Sequence, residues 1–230
     1  MRLPSPQSSA LPAARLACAA AALALAALSP ATAAPLGPEE LASVCAGTEG
    51  PAHCGRRVET VQLKRLPNLA TRDGATLKVS LYPTGTATFA DTEAPNGGRS
   101  YSLWDYLDPI NAVLLYTTDG DTVTFTLIQR NGGRRIELPN EPVLAPDRQR
   151  LVTADFCPTR CVNELAVWRV TRDGVHKELA WKPREAWADA GVQWKSAETL
   201  VVEYTPAGNG KAGVVERRLN DPGWQRLTAP

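Results

Sequence analysis

The chain has 230 residues, with 25 basic against 24 acidic side chains and a formal net charge of +1. That balance, without a visible run of basic residues, argues against nucleic acid or an anionic membrane surface as a partner. With His53 and His176 as the two histidines, a His-rich metal site is excluded, and neither Gly-x-Ser-x-Gly nor His-Glu-x-x-His occurs to mark a serine hydrolase or a zinc protease.

Arg2 and Arg15 precede and flank an uncharged run, Leu16 to Leu28, of thirteen Leu, Ala and Cys residues. The run is shorter than the roughly 20 residues that span a bilayer, and Ala31-Thr32-Ala33 supplies small residues at a cleavage position. The pattern predicts a cleaved signal peptide over residues 1–33, a mature chain of 197 residues without an integral membrane segment, and a periplasmic or secreted location. Cys18 leaves with the signal. Cys45, Cys54, Cys157 and Cys161 remain as two close pairs, which in an oxidising compartment reads most simply as disulfides Cys45–Cys54 and Cys157–Cys161, although four cysteines allow three connectivities.

Residues 34–57 read as a short helix opened by Pro38-Glu39-Glu40 and stopped by Gly47, within a disulfide-stapled segment. His53 reads as a polar loop residue beside that staple. From Val58 to the end, period-two alternation replaces helical periodicity and a single all-β domain, 58–230, is expected. Leu77, Val79 and Leu81 alternate with polar residues, as do Val123, Phe125 and Leu127. Asp73-Gly74, Asn96-Gly97, Asp119-Gly120, Asn131-Gly132 and Asp173-Gly174 mark hairpin turns. Ala112 to Tyr116 and Leu165 to Trp168 are apolar without alternation, as in strands covered on both faces. Arg184 to Ala190 reads as a brief second helix.

A faint repeat runs through the domain. A polar turn leads into Leu151-Val152-Thr153-Ala154, again into Leu200-Val201-Val202 forty-nine residues later, and earlier into Val113-Leu114-Leu115 thirty-eight residues before. The stretch Glu141-Pro142-Val143-Leu144-Ala145-Pro146-Asp147-Arg148-Gln149-Arg150-Leu151, followed by Asn163 to Val170, resembles a blade of the TolB-type, WD-like β-propellers. Ala145 stands where those blades carry serine, and Arg148 where they carry glycine. The likeness is to the secreted bacterial proteins that carry such blades rather than to an enzyme that uses them. It implies an antiparallel meander of propeller-like blades forming a partial or small propeller; a two-sheet β-sandwich is the alternative.

The resemblance carries over no catalytic residue, cofactor or metal. The leading expectation is an exported, monomeric, non-enzymatic scaffold that binds an envelope protein or a cell-wall glycan. Trp181, Trp187 and Trp224, beside turn-forming residues, are the candidate exposed aromatics for that contact; Trp168 and Trp194 read as core. The alternatives are a carboxylate-based glycan hydrolase drawing on Asp105, Asp108, Asp155 or Glu164, and a secreted structural domain with no ligand. The Cys157–Cys161 pair has three intervening residues between strands, which favours a structural bridge over a thiol-exchange motif.

Overall fold

The computed structural model describes residues 36–94, 97–208 and 210–227; the signal peptide expected over 1–33 lies outside the described residues. Two helices open the chain, α1 (Pro38–Cys45) and α2 (Pro51–Arg65). The first follows from the proline and acidic residues at its start. The second was not expected, and His53 therefore lies on a helix rather than a loop. Its buried positions, Gly55, Val58, Glu59 and Gln62, keep helical spacing but only one is a bulky apolar residue. A period built from polar side chains leaves no hydrophobic trace, and α2 runs across the expected boundary at 57/58.

The remainder is antiparallel β-structure, an all-β fold of four successive sheets. The first holds β1 (Ala70–Asp73), β2 (Thr76–Ser80) and β3 (Thr86–Ala90); the second holds β4 (Arg99–Leu107), β5 (Ala112–Asp119), β6 (Thr122–Gln129) and β7 (Arg134–Leu138). The third is built from β8 (Val143–Leu144), β9 (Arg150–Asp155), β10 (Glu164–Thr171) and β11 (Gly174–Trp181). The fourth comprises β12 (Trp187–Ser196), β13 (Thr199–Pro206) and β14 (Gly213–Arg218); the chain then returns β15 (Gln225–Arg226) to the third sheet beside β11. With four sheets in place of two, the architecture is not a two-sheet sandwich. The three repeat copies fall on β5, β9 and β13, the second strand of three consecutive sheets, each paired on both sides.

The sheets stack face to face in chain order. Leu77, Val79 and Phe89 of the first sheet meet Leu103, Val113, Leu115 and Ile128 of the second. Ala112, Leu114 and Leu127 face Leu151, Ala166 and Trp168 of the third, and Val152, Ala154, Leu165 and Val167 turn the other way onto Leu200 and Val202 of the fourth. The middle sheets are thus covered on both sides, which is why Ala112–Leu115 and Leu165–Trp168 lack alternation and why Thr126 is buried beside Phe125 and Leu127. The end sheets alternate instead: Thr71, Asp73, Thr86 and Thr88 face solvent at one end, Asp189, Gln193, Glu203 and Glu216 at the other. The stack closes on a polar face at each end, as terminal repeats of stacked architectures do.

Local chemistry explains the corners. Gly74, Gly120, Gly132 and Gly174 supply the positive φ of four of the expected turns. Between β8 and β9, Arg148 itself adopts φ 61°, a left-handed conformation, and the Asp147 carboxylate accepts the Gln149 N–H at 3.0 Å. Arg184 to Ala190 is not a helix. From Trp187 the chain pairs with β13 from Pro206 backwards, and a bulge between Trp187 and Asp189 accommodates the mismatch. Both expected disulfides are present, Cys45–Cys54 joining the two helices and Cys157–Cys161 closing the β9–β10 loop. Two intrachain disulfides fit an oxidising compartment. Among the described residues no helix is long and apolar enough to cross a membrane.

Candidate functional site

Strand β4 forms one edge of the second sheet, and α2 lies along it. A bulge between Leu103 and Asp105 leaves Trp104 as the extra residue, with Leu103 opposite Leu115 and Asp105 opposite Leu114. Two buried side chains of α2 satisfy the backbone that the bulge frees. Glu59 Oε2 accepts the Leu103 N–H at 3.0 Å, and Gln62 Nε2 donates to the Trp104 carbonyl at 2.6 Å. Glu59 is itself held by Arg72 at 2.7 Å and Arg56 at 3.2 Å, and both guanidiniums also pair with Asp91. The helix missed in the sequence is therefore the clamp on an irregular edge, and the bulge places Trp104 and Asp105 on one cleft instead of opposite faces.

Glu141 enters from the β7–β8 connection. Asn140 fixes that connection by donating to the Ala154 carbonyl at 2.9 Å while its own carbonyl oxygen accepts the Glu141 N–H at 2.8 Å. Glu141 sits exposed at the rim and accepts the Trp104 indole N–H on Oε1 at 2.8 Å. Trp104 is held flat on Tyr116, ring centroids 4.8 Å apart, and edge-on to Phe125 at 5.6 Å.

Two adjoining hollows share these carboxyl groups. One, of about 200 Å³, is walled by Leu36, Pro38 and Leu41 at α1; the other, of about 460 Å³, opens towards Val143, Ala154 and Val192 of the third and fourth sheets. Burial raises the Asp105 carboxyl to about 6, with the Glu141 charge adding to the rise and a backbone hydrogen bond at Tyr106 opposing it. Glu141 is also raised, by loss of water around its carboxyl, against the lowering effect of the indole hydrogen bond. Burial likewise raises the Tyr116 phenol. The cleft thus offers two carboxyl groups, both raised by burial and set in apolar walls, a combination found at binding and catalytic sites.

The other acids do not join them. Asp108 is exposed in a 3-10 turn, Asp155 is buried and accepts the Val162 N–H at 3.0 Å across the disulfide loop, and Glu164 pairs with Lys177 at 2.5 Å. The tryptophans require a correction. Trp187 and Trp224 are 4% and 7% exposed and belong to the core between the third and fourth sheets, where Trp187 stacks on Tyr204 at 4.0 Å. Their closeness to turns suggested surface, but the bulge after Trp187 turns its ring inward, and Trp224 is anchored by donating to the Arg218 carbonyl at 2.9 Å. Trp181, half-buried, lies edge-on to Trp187 under the Arg217 guanidinium, 4.6 Å from the ring centre. Trp168 and Trp194 pack in the core as expected, Trp194 half-buried and donating to the Val143 carbonyl at 2.9 Å.

No family model matches this chain, and no curated protein matches it.

Proposed function

We propose that the protein is an exported, non-enzymatic binding module, an envelope-associated scaffold of propeller-like blades, and that it contacts its partner through the Asp105–Glu141 cleft. The observation that carries this reading is the pair itself: a buried and a rim carboxyl share one open cleft, and neither is neutralised by a lysine or arginine among the described residues. Carboxyl groups without a countercharge in an apolar-walled cleft suit a partner that brings donors, such as the hydroxyl and amide groups of a cell-wall glycan or an envelope protein. The signal pattern and the disulfides support the setting, and the likeness to TolB-type blades supports the scaffold. The rim tryptophans anticipated for this contact give way to the carboxyl pair.

A second reading rests on the raised carboxyl of Asp105 beside Glu141. A carboxyl held protonated to about pH 6 beside a second carboxyl is the arrangement that glycoside hydrolysis uses for its general acid. One experiment addresses both readings. The mature protein is sedimented with purified peptidoglycan, and reducing ends released into the supernatant are measured alongside. Binding that disappears in Asp105→Asn/Glu141→Gln without any release of reducing ends supports the module. Release abolished by Asp105→Asn alone replaces it with the hydrolase, and the absence of both removes the glycan as partner.

A further inference from the structure

A second cleft, of about 530 Å³, lies between the β6–β7 hairpin of the second sheet and the β10–β11 turn of the third. It adjoins β7, whereas Asp105 lies on β4, the opposite edge of the same sheet and about 14 Å away at ordinary strand spacing. Its floor is Leu127, Ile136 and Val175, and its polar lining is Gln129, Arg134, Arg135, Thr171, Asp173 and His176.

Gln129 is the decisive residue. Only 8% exposed, it donates Nε2 to the Thr171 carbonyl at 3.0 Å. Thr171 is an acceptor, so the amide cannot be turned over, and Oε1 is left as a buried acceptor without a partner. Such an atom is destabilising unless something donates to it. The space beside it is kept open by Gly174, at φ 145°. A Cβ there would lie 4.0 Å from Gln129 Oε1 and 3.8 Å from Arg134 Nη1, so acceptor and cation converge on one spot. Arg134 donates to the Asp173 carbonyl, and no carboxylate pairs with it among the described residues. Arg135, its neighbour, is engaged elsewhere, stacked 4.2 Å over Phe89.

We propose that this cleft is a binding site for a small hydroxylated carboxylate of the uronic-acid class, its hydroxyl donating to Gln129 Oε1 and its carboxylate meeting the Arg134 guanidinium over the apolar floor. Neutral sugars satisfy only the first contact and simple carboxylates only the second. The volume lies within the range of ligand clefts, about 300–1,000 Å³.

The test is an NMR titration of the protein with glucuronate, against glucose and acetate, following the Gly174 amide and the Gln129 side-chain amide. Glucuronate is expected to give saturable shifts at both, with an apparent affinity at least about tenfold above either control, and Arg134→Gln to weaken it at least about tenfold. Gln129→Met is expected to do the same. Should that variant unfold for want of its Thr171 contact, the exposed Arg134 position still decides the matter. No saturable shift up to about 50 mM glucuronate, or equal affinity in Arg134→Gln, overturns the site and leaves Gln129 Oε1 to bound water. Loss of peptidoglycan binding at the Asp105–Glu141 cleft would leave this result untouched, since the two sites share no residue.

Discussion

Replacing Asp105 by Asn keeps the shape of a side chain buried in the cleft and removes its charge. The wild-type carboxyl is raised from an ordinary 3.8 to about 6, so between those values the folded protein holds a proton that the unfolded chain has released. Stability therefore falls as pH rises through that window, by at most about 3 kcal/mol for a shift of this size. It is fully retained below about pH 4, where both states are protonated. The asparagine can keep the backbone contact at Tyr106 without an ionisation cost. Asp105→Asn should then match the wild type near pH 4 and exceed it by about 1–3 kcal/mol near pH 7.5, the lower figure allowing for water entering the cleft. Glu178, whose carboxyl is lowered by Arg150 and Arg169 despite its own burial, shifts the profile in the opposite sense, but it does so in both proteins and cancels from the difference. Urea denaturation at the two pH values measures this directly. A variant no more stable than the wild type at pH 7.5, with a difference that does not change with pH, would refute the claim that Asp105 is held under electrostatic stress.

The remaining predictions concern what holds the cleft in place. Glu59→Gln, which removes the charge between Arg56 and Arg72 and weakens the hold on the β4 bulge, is expected to cost about 3–5 kcal/mol in chemical denaturation; a loss below about 1 kcal/mol would mean that α2 is not the clamp. Trp187→Ala should cost about 3–5 kcal/mol and leave peptidoglycan sedimentation of the folded fraction unchanged, whereas a stable protein that no longer sediments would return Trp187 to the contact surface.

Much of the fold was legible because its signals were local. Asp119-Gly120 and Asp173-Gly174 announced their hairpins, and the unbroken apolar runs at Ala112 and Leu165 announced sheets buried on both faces, as the stack shows. What was not legible depended on polar groups meeting across distance. Helix α2 buries Glu59 and Gln62 to satisfy two backbone groups some forty residues away, and no periodicity records that need. The bulge at Trp104 follows from it, and with the bulge comes the placement of Asp105 beside Glu141. Asp105 was one of four candidate acids in the sequence, with Asp108, Asp155 and Glu164. Glu141 was not among them, since an acid between Asn140 and Pro142 looks like any loop residue until Trp104 reaches it. Trp187 and Trp224 misled in the other direction, because nearness to a turn says nothing about which way a bulge turns a ring.

A partner docked at the Asp105–Glu141 cleft lies within reach of a photocross-linker placed there in the native envelope. A cross-linker replaces Val143, which lines the cleft, and as a comparison Tyr82, which is 60% exposed on the first sheet's connection. A discrete adduct is expected from position 143 that is lost when Asp105→Asn/Glu141→Gln is added, and none from position 82. Adducts of equal yield from both positions, or an adduct at 143 indifferent to the carboxyl substitutions, would contradict docking at this cleft.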